Sequence, residues 1–227
     1  MYDNVFNRVE KKYLLTKEQR ELLFDRINEY LNEDRYFKST ICNIYFDTVN
    51  NDLIINSIDK PVFKQKFRLR SYFVPGMEDD VFLENKTKYK GIVNKRRVKM
   101  KLRDYYKYEK NNYFSNDSQI LKEFSYFFNY YDLKPYIYIA YDRLSYVGKN
   151  DSQLRITIDS NLRSRTEDLK LELGDAGKKF FKEDMYIMEI KTLGAMPFWL
   201  VNALSELKIY PRSFSKFGRI YLKERGR

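Results

Sequence analysis

The chain has 227 residues, and its 43 Lys and Arg residues exceed its 32 Asp and Glu residues, which gives a formal net charge of +11. It contains no histidine, and this excludes catalysis of the Ser-His-Asp or Cys-His type as well as the HExxH zinc motif. A single cysteine, Cys42, excludes an internal disulfide and favours a reducing, cytoplasmic location. The excess of positive charge predicts an anionic partner, and the alternative is a charge that only keeps the protein in solution.

Hydrophobic periodicity predicts an α+β fold in which strands dominate, in one domain over residues 1–227. In chain order the predicted strands are Phe6–Leu15, Thr40–Asp47, Val62–Phe73, Val81–Tyr89, Ile92–Arg103, Tyr136–Tyr146, Leu154–Leu162 and Met185–Thr192. The predicted helices are Lys17–Asn32 after an N-cap at Thr16, Asn51–Ser57, Ser118–Tyr130, and Pro197–Leu207 with its proline in the first turn. The segment Ser213–Leu222 has no assignment, and loops are expected at Pro75-Gly76, Lys90-Gly91 and Gly148–Asp151. About eight strands spaced in this way are typical of a mostly antiparallel β-barrel, here with helices packed outside.

Charged residues recur on one face of six predicted strands, because side chains alternate faces with a period of two. These faces carry Arg8, Glu10 and Lys12; Lys64, Lys66, Arg68 and Arg70; Glu84, Lys86 and Lys88; Tyr141 and Arg143; Arg155, Thr157 and Asp159; and Glu189 and Lys191. For one strand alone, the favoured explanation is a sheet with one face on the core and the other in water. For the whole set, helices can cover the apolar faces, and the charged faces then point into the barrel. A lumen rich in Lys and Arg is costly unless a polyanion fills it, so the pattern predicts a binding tunnel for several phosphates.

The few carboxylates on these faces suggest a metal. Phosphate-bound Mg²⁺ or Mn²⁺ needs one or two carboxylates and takes its other ligands from phosphate oxygens and water. Glu189 and Glu10 are the candidate ligands, and the alternative for both is ion pairing with neighbouring cations. No apolar run approaches the roughly 18–20 residues of a membrane span, and Met1–Asn4 lack the features of a signal peptide. We therefore expect neither a transmembrane segment nor a leader.

Nine short motifs occur in a fixed order on these elements. They are Arg8-Val-Glu10-Lys-Lys12-Tyr13, Ile44-Tyr-Phe-Asp47-Thr48, Lys66-Phe-Arg68-Leu-Arg70, Leu83-Glu84-Asn-Lys86, Lys95-Arg96-Arg97, Tyr141-Asp-Arg143, Leu154-Arg155-Ile-Thr-Ile-Asp159, Met188-Glu189-Ile-Lys191 and Ser213-Phe-Ser215-Lys216. Together they resemble the catalytic domain of the vacuolar transporter chaperone (VTC) family of polyphosphate polymerases. That family belongs to the triphosphate tunnel metalloenzymes, relatives of the CYTH-type triphosphatases. The resemblance covers Phe6 to about Leu222 and implies a β-barrel tunnel that transfers the γ-phosphate of ATP to a growing polyphosphate chain.

The resemblance also implies roles for individual residues. Lys12 matches the lysine that contacts the transferred phosphate, and Arg68 and Arg70 match the paired tunnel arginines; with Arg143 they form the expected catalytic set. The expected substrate-binding set is Lys66, Lys86, Lys88, Arg97, Tyr141, Arg155, Lys191, Ser215 and Lys216. Lys66, Lys88 and Lys191 come from the face pattern, and Arg97 could be in a different register within Lys95-Arg96-Arg97. Glu189 matches the metal-binding glutamate.

One departure concerns the first strand. CYTH triphosphatases open with Glu-x-Glu-x-Lys, whereas this chain has Arg8 at the first position, which removes a metal-binding carboxylate and favours the polymerase branch. The expected partners are ATP and polyphosphate or pyrophosphate, with Mn²⁺ or Mg²⁺ as cofactor and no specific nucleic acid. A terminal phosphate acceptor is already anionic near neutral pH, so the absence of histidine poses no difficulty for this reaction.

Three other functions stay open. The first is a triphosphatase or polyphosphatase that uses water as the acceptor. The second is a non-catalytic module that binds polyphosphate, nucleotides or inositol phosphates, although such a module could dispense with Glu189. The third is nucleic-acid binding, suggested by basic and aromatic composition alone and without any helix-turn-helix, RNP or zinc motif.

Overall fold

The structure is a computed structural model that describes residues 8–59, 61–90, 92–111 and 118–226. The chain divides into two compact units. Unit 1 comprises Met1–Ser39, Tyr141–Leu162 and Lys179–Phe214, and unit 2 comprises Thr40–Ala140, Arg163–Lys178 and Ser215–Arg227. The chain therefore passes from one unit to the other five times.

The described residues form nine strands and six α-helices. The strands are β1 (Arg8–Thr16), β2 (Leu31–Asp47), β3 (Phe63–Tyr72), β4 (Asp80–Tyr89), β5 (Ile92–Lys101), β6 (Lys134–Gly148), β7 (Arg155–Arg165), β8 (Lys178–Lys179) and β9 (Met185–Leu193). The helices are α1 (Lys17–Ile27), α2 (Asp52–Ile58), α3 (Leu102–Asn111), α4 (Gln119–Tyr130), α5 (Phe198–Glu206) and α6 (Lys216–Glu224), and a 3₁₀ turn covers Asn28–Tyr30.

The strands form one large sheet in the order β1-β9-β7-β6-β2-β3-β4-β5, with β8 paired to β7. The pairs β1–β9, β7–β9, β2–β3, β3–β4 and β4–β5 are all antiparallel. The fold is therefore α+β with a mostly antiparallel sheet, as the sequence predicts. The order ends at β1 and β5, and no pairing within the described parts of the chain joins these two strands, so closure into a barrel stays a prediction.

Unit 1 has its own hydrophobic core. Tyr13 and Leu15 of β1 pack in one cluster with Leu23 of α1 and Leu200 of α5, and all four side chains are buried. Thr16 caps α1 with a capping box, because its hydroxyl accepts from the Gln19 amide and the Gln19 side chain accepts from the Thr16 amide. Since β1 alternates, its residues Glu10 and Lys12 lie on the face opposite this core.

Unit 2 has a second, more aromatic core. Phe67 of β3 and Leu83 of β4 cluster with Phe124 and Phe128 of α4, and the Phe67 and Phe128 rings meet edge to face 6.0 Å apart. Because side chains alternate, Arg68 and Glu84 lie together on the other face of the sheet, away from this core. In each unit, helices cover the apolar face of the strands and leave the charged face uncovered by that core.

The structure corrects several predicted bounds. The strand β6 spans Lys134–Gly148 and not Tyr136–Tyr146, β7 spans Arg155–Arg165 and not Leu154–Leu162, and Pro197 is the N-cap of α5 and not part of its first turn. The helix predicted for Lys17–Asn32 ends at Ile27, and β2 already begins at Leu31, nine residues before the predicted strand. The strand predicted for Ile92–Arg103 ends at Lys101, where α3 begins. The helix α3, the short β8 and the helix α6 inside the unassigned tail were not predicted. Phe6, Asn7 and Gly91 belong to predicted elements but lie outside the described residues. Met1–Asn4, for which no leader is expected, also lie outside them.

Candidate functional site

The first group of predicted site residues lies on four adjacent strands, β1, β9, β7 and β6, in their unit 1 portions. Lys12 of β1 stands opposite Glu189 of β9, and Glu10 stands opposite Lys191. On the other side of β9, Thr157 stands opposite Glu189 and Arg155 opposite Lys191. We call the charged residues on these faces the carboxylate cluster; it contains Glu10, Lys12, Arg143, Asp159, Glu189 and Lys191.

Lys12 lies between two carboxylates. Its Nζ is 2.8 Å from Glu10 Oε1 and 3.5 Å from Glu189 Oε2, and Lys191 Nζ is 2.6 Å from Glu189 Oε1. Burial opposes ionisation of Glu189, but Lys191, Lys12 and Arg143 outweigh it and hold the pKa of Glu189 well below its usual range. Burial would likewise lower the pKa of Lys12, yet Glu189 and Glu10 raise it overall. Both groups are therefore charged at neutral pH.

Arg143 is the most constrained cation of this cluster. Its Nε and Nη2 donate to the two carboxylate oxygens of Asp159 at 2.6 Å and 2.8 Å, a bidentate pair in which Asp159 is 1% exposed. Its guanidinium also lies 5.3 Å from the ring centre of the buried Tyr141. Burial acts against this charge, but the paired carboxylate keeps the pKa of Arg143 above its usual range.

Arg155 has a different environment. Its side chain is 53% exposed, and its Nη1 lies 3.4 Å from Asp34 Oδ2. Although it shares a strand face with Asp159, it is the least enclosed of the predicted site residues in unit 1. An ion pair of this kind contributes little to stability, because water competes with it.

Two residues could hold a metal here. No group of three or more Asp, Glu, His or Cys side chains suited to a metal occurs among residues 8–59, 61–90, 92–111 and 118–226. Glu10 and Glu189 instead share the Lys12 ammonium. Carboxylate oxygens suit Mg²⁺ and Mn²⁺, which readily take further ligands from phosphate and water. The donor chemistry of this pair thus fits a hard divalent cation.

The second group of predicted residues lies on β3, β4 and β5 of unit 2. Here a single carboxylate, Glu84, meets four cations. The register places Arg68 and Arg97 directly opposite Glu84 on its two neighbouring strands. We call this group the arginine cluster; it contains Arg68, Arg70, Glu84, Lys95 and Arg97.

The contacts of Glu84 are short. Its Oε2 accepts from Nε and Nη2 of Arg68, both at 2.6 Å, and its Oε1 lies 2.6 Å from Lys95 Nζ and 3.2 Å from Arg97 Nε. Burial opposes ionisation of Glu84, but the nearby cations, Arg68 first, lower its pKa to about 2. Glu84 therefore stays ionised over the physiological range.

Neighbouring polar groups hold the two predicted arginines. Arg68 Nη1 donates to the Tyr45 hydroxyl at 3.2 Å, and Arg70 Nε donates to Asn43 Oδ1 at 2.9 Å. The Asn43 amide in turn donates to the Ile139 carbonyl at 3.1 Å. Arg70 is 8% exposed, whereas the Arg68 side chain is 21% exposed, so Arg68 is the more accessible of the two.

Lysines continue this face toward the other end of the same strands. Lys66 stands opposite Lys86, which stands opposite Lys95, and Lys64 stands opposite Lys88. Like charges in directly opposite positions repel, so an anion that contacted these pairs would lower the repulsion between them. Lys66 Nζ also lies 2.9 Å from Ser215 Oγ, which accepts the Gly218 amide and caps α6. Lys216 is the first residue of that helix.

The structure shows contacts of the predicted site residues that the sequence did not predict. It places Lys95 and Arg97 on the face of Glu84, whereas Arg96 lies on the other face and contacts Glu123 of α4. Sequence reasoning placed Glu84 on the charged face but gave it no role, and it missed the pairing of Arg143 with Asp159. The sequence signal available was the alternation of charged and apolar residues along each strand. Alternation gives the face on which a residue lies, but the register between strands is needed to identify its partner.

The family model for the VTC domain matches residues 7–223. No curated protein matches the chain. Among the described helices none is long and apolar enough to span a membrane.

Several solved structures share the fold. A candidate adenylate cyclase from Bacillus halodurans is 13% identical with a TM-score of 0.55, over 92% of this chain and 93% of that one. A candidate adenylyl cyclase from Hippeastrum, described as having a dominant triphosphatase activity, is 16% identical with a TM-score of 0.54, over 92% of this chain and 93% of that one. A candidate adenylate cyclase from Vibrio parahaemolyticus is 10% identical with a TM-score of 0.51, over 95% and 98%.

Proposed function

Because the chain belongs to the VTC domain family, we propose that it is a polyphosphate polymerase that transfers the γ-phosphate of ATP to a growing polyphosphate chain. The observation that supports this most directly is the ladder of cations on β3, β4 and β5. Lysines face lysines across neighbouring strands, and a single carboxylate serves the arginine cluster. Such an excess of positive charge on one face is stabilised by a chain of phosphates.

The chemistry requires positioning and charge neutralisation. Phosphoryl transfer passes through a loose transition state whose charge is spread over the equatorial oxygens, so correctly placed cations supply most of the catalysis. In this proposal Lys12 contacts the transferred phosphate, and Arg68, Arg70 and Arg143 neutralise phosphate oxygens. The acceptor phosphate is already ionised, so the chain needs no general base to deprotonate it. This agrees with a sequence that contains no histidine.

The remaining predicted residues bind the substrate chain or the metal. We propose that Glu189 and Glu10 hold Mn²⁺ or Mg²⁺, which when bound neutralises charge on the phosphates. The phosphate-binding residues are Lys66, Lys86, Lys88, Arg97, Tyr141, Arg155, Lys191, Ser215 and Lys216.

The finer architecture belongs to the same proposal. We propose that the sheet closes into a tunnel and that residues 1–227 act as one domain, which agrees with a single family model that spans both units. A cytoplasmic location is also part of the proposal, since the chain has one buried cysteine and ATP is abundant in that compartment.

The decisive experiment is incubation of the purified protein with ATP and Mn²⁺, with and without pyrophosphate as primer. Products are separated on a gel stained for polyphosphate, and ADP and free phosphate are measured in parallel. The proposal expects a ladder of polymer with release of ADP. Neither product, with tight binding of ATP or polyphosphate, would instead identify a non-catalytic binding module.

A triphosphatase is the second candidate. The likeness in fold to the Hippeastrum protein with its described triphosphatase activity favours it. Arg8, where the CYTH pattern has a glutamate, argues for the polymerase. Release of free phosphate without polymer in the same experiment would decide for the triphosphatase.

A further inference from the structure

Glu84 lies at the base of the arginine cluster. Its side chain is 1% exposed, whereas those of Arg68, Arg97 and Lys95 are 21%, 34% and 42% exposed. Each of its two oxygens contacts cations from a different neighbouring strand, Arg68 on β3 and Lys95 with Arg97 on β5. The carboxylate is therefore beneath the cations, and the cations carry the solvent-accessible surface.

We propose that Glu84 is a positioning residue that fixes Arg68, Lys95 and Arg97 in the arrangement that binds consecutive phosphate groups. The inference rests on the proposed function in taking a chain of phosphates as the ligand. Glu84 itself does not touch that ligand. It acts through the three cations, which bind phosphate with the surface that faces away from it.

Two further features support this role. First, a guanidinium recognises phosphate through a rigid fork, so its orientation decides whether it can donate two hydrogen bonds. Arg68 is held from below by Glu84 and from the side by the Tyr45 hydroxyl, and the Arg97 guanidinium lies 3.7 Å from the centre of the Phe82 ring. Second, burial lowers the pKa of Lys95 even with Glu84 beside it. Without that carboxylate, Lys95 would lose its proton more readily and the remaining cations would repel each other.

This role makes a prediction of opposite sign to simple electrostatics. Replacement of Glu84 by Gln raises the net charge of the cluster by one, and an attraction that depended only on charge would become stronger. If the carboxylate positions the cations, binding becomes weaker despite the added positive charge. The sign of the change in affinity therefore separates the two explanations.

The experiment is a calorimetric titration of the protein with inorganic tripolyphosphate, repeated at several salt concentrations. We expect Glu84→Gln to bind about tenfold more weakly and with a smaller salt dependence, because fewer cations contact the ligand. The matched control is Asp80→Asn on the same strand. It adds the same charge, but Asp80 pairs with the exposed Lys99 and Lys101 and lies outside the cluster, so affinity should not fall.

A second variant guards against loss of folding. Glu84→Asp keeps the charge and shortens the side chain by one methylene, so weaker binding cannot be attributed to net charge. We expect about a threefold loss with an unchanged circular dichroism spectrum. Affinity equal to or tighter than wild type in both Glu84 variants overturns the inference.

The outcome also separates this inference from the proposed function. Wild-type protein that binds tripolyphosphate but makes no polymer contradicts only the polymerase proposal, provided that Glu84→Gln binds more weakly. Normal polymer synthesis with unchanged binding by Glu84→Gln contradicts only the positioning role. Failure of the wild-type protein to bind tripolyphosphate contradicts both.

Discussion

The carboxylate cluster of unit 1 and the arginine cluster of unit 2 are built on the same strand alternation but balance their charges differently. In unit 1, acids and bases face each other across the strands, as with Lys12 opposite Glu189 and Glu10 opposite Lys191. In unit 2, lysine faces lysine, and one buried carboxylate serves four cations. The charges of the first arrangement sum to zero, and under the proposed function it holds the metal and the transferred phosphate. The second has four cations to one carboxylate, and under the proposed function it binds the phosphate chain.

The largest effect is expected from the balanced cluster. Lys12→Ala should lower polymer synthesis by about a thousandfold, because it removes the cation assigned to the transferred phosphate. The measurement is polymer formed per minute at saturating ATP and Mn²⁺. The control is Lys11→Ala, since Lys11 is an exposed neighbour on the other face of β1. Near-wild-type synthesis by folded Lys12→Ala would remove Lys12 from the mechanism.

The ion pairs of Glu84 in the arginine cluster should appear in stability at acid pH. The folded-state pKa of Glu84, about 2, lies below its usual 4.5, so its contribution is complete above about pH 4.5 and disappears as the pH falls toward 2. By linkage this contribution is on the order of 3 kcal/mol. Urea unfolding should therefore show wild type more stable than Glu84→Gln at pH 6, with the difference shrinking toward pH 3. A difference independent of pH would contradict the role of the ionised carboxylate, and the exposed Glu183→Gln serves as control.

A metal-dependent effect should be confined to the carboxylate cluster. Glu189→Gln should weaken the apparent affinity for Mn²⁺ by about 10- to 100-fold, because a ligand of the ion loses its charge. The measurement is activity against Mn²⁺ concentration, with removal of all metal by a chelator as the baseline. Unchanged manganese dependence would exclude Glu189 as a ligand. Glu183→Gln, in the same unit, should behave as wild type.

Two variants of adjacent arginines on β5 test whether phosphate binding depends on the arginine cluster or on net charge. Arg97→Ala should weaken tripolyphosphate binding about tenfold, because Arg97 belongs to the arginine cluster and contributes a charge-assisted contact. Arg96→Ala removes the same charge from the adjacent residue, which contacts Glu123 on the other face of the strand. Equal losses in the two variants would mean that net charge, and not the cluster, governs binding.

The smallest effect concerns Arg155. Its side chain is half exposed and its ion pair with Asp34 is 3.4 Å long, so Arg155→Ala should change the Michaelis constant for ATP by no more than about threefold. Steady-state kinetics checks this. A rise in the Michaelis constant as large as the tenfold loss of affinity expected for Arg97→Ala would show that Arg155 moves into the site when substrate binds.

Alternation alone identified most of the charged faces, including those of Arg68, Glu84 and Glu189, because a period of two follows directly from strand geometry. It could not find the contacts that depend on register or on distant parts of the chain. Asp34 and Arg155 are 121 residues apart in sequence, and Asp159 becomes the partner of Arg143 only when β6 lies beside β7.

The C-terminal end of α1 could not be predicted from the local sequence pattern either. Tyr30 and Leu31 fit the apolar face of a helix that begins at Lys17, so periodicity extended the helix to Asn32. In the structure Leu31 begins β2, since pairing within the sheet outweighs the weak helical preference of this segment. The capping signal at Thr16 was reliable because it depends on neighbouring residues only.

The repeated passage of the chain between the two units limits how this protein can be divided. Four of the five crossings fall inside the strands β2, β6, β7 and β8, and the fifth comes just before α6. No single cut therefore releases either unit as a continuous segment. In evolutionary terms, neither unit can be lost, duplicated or exchanged by recombination at one breakpoint, so the two charge patterns must be inherited together.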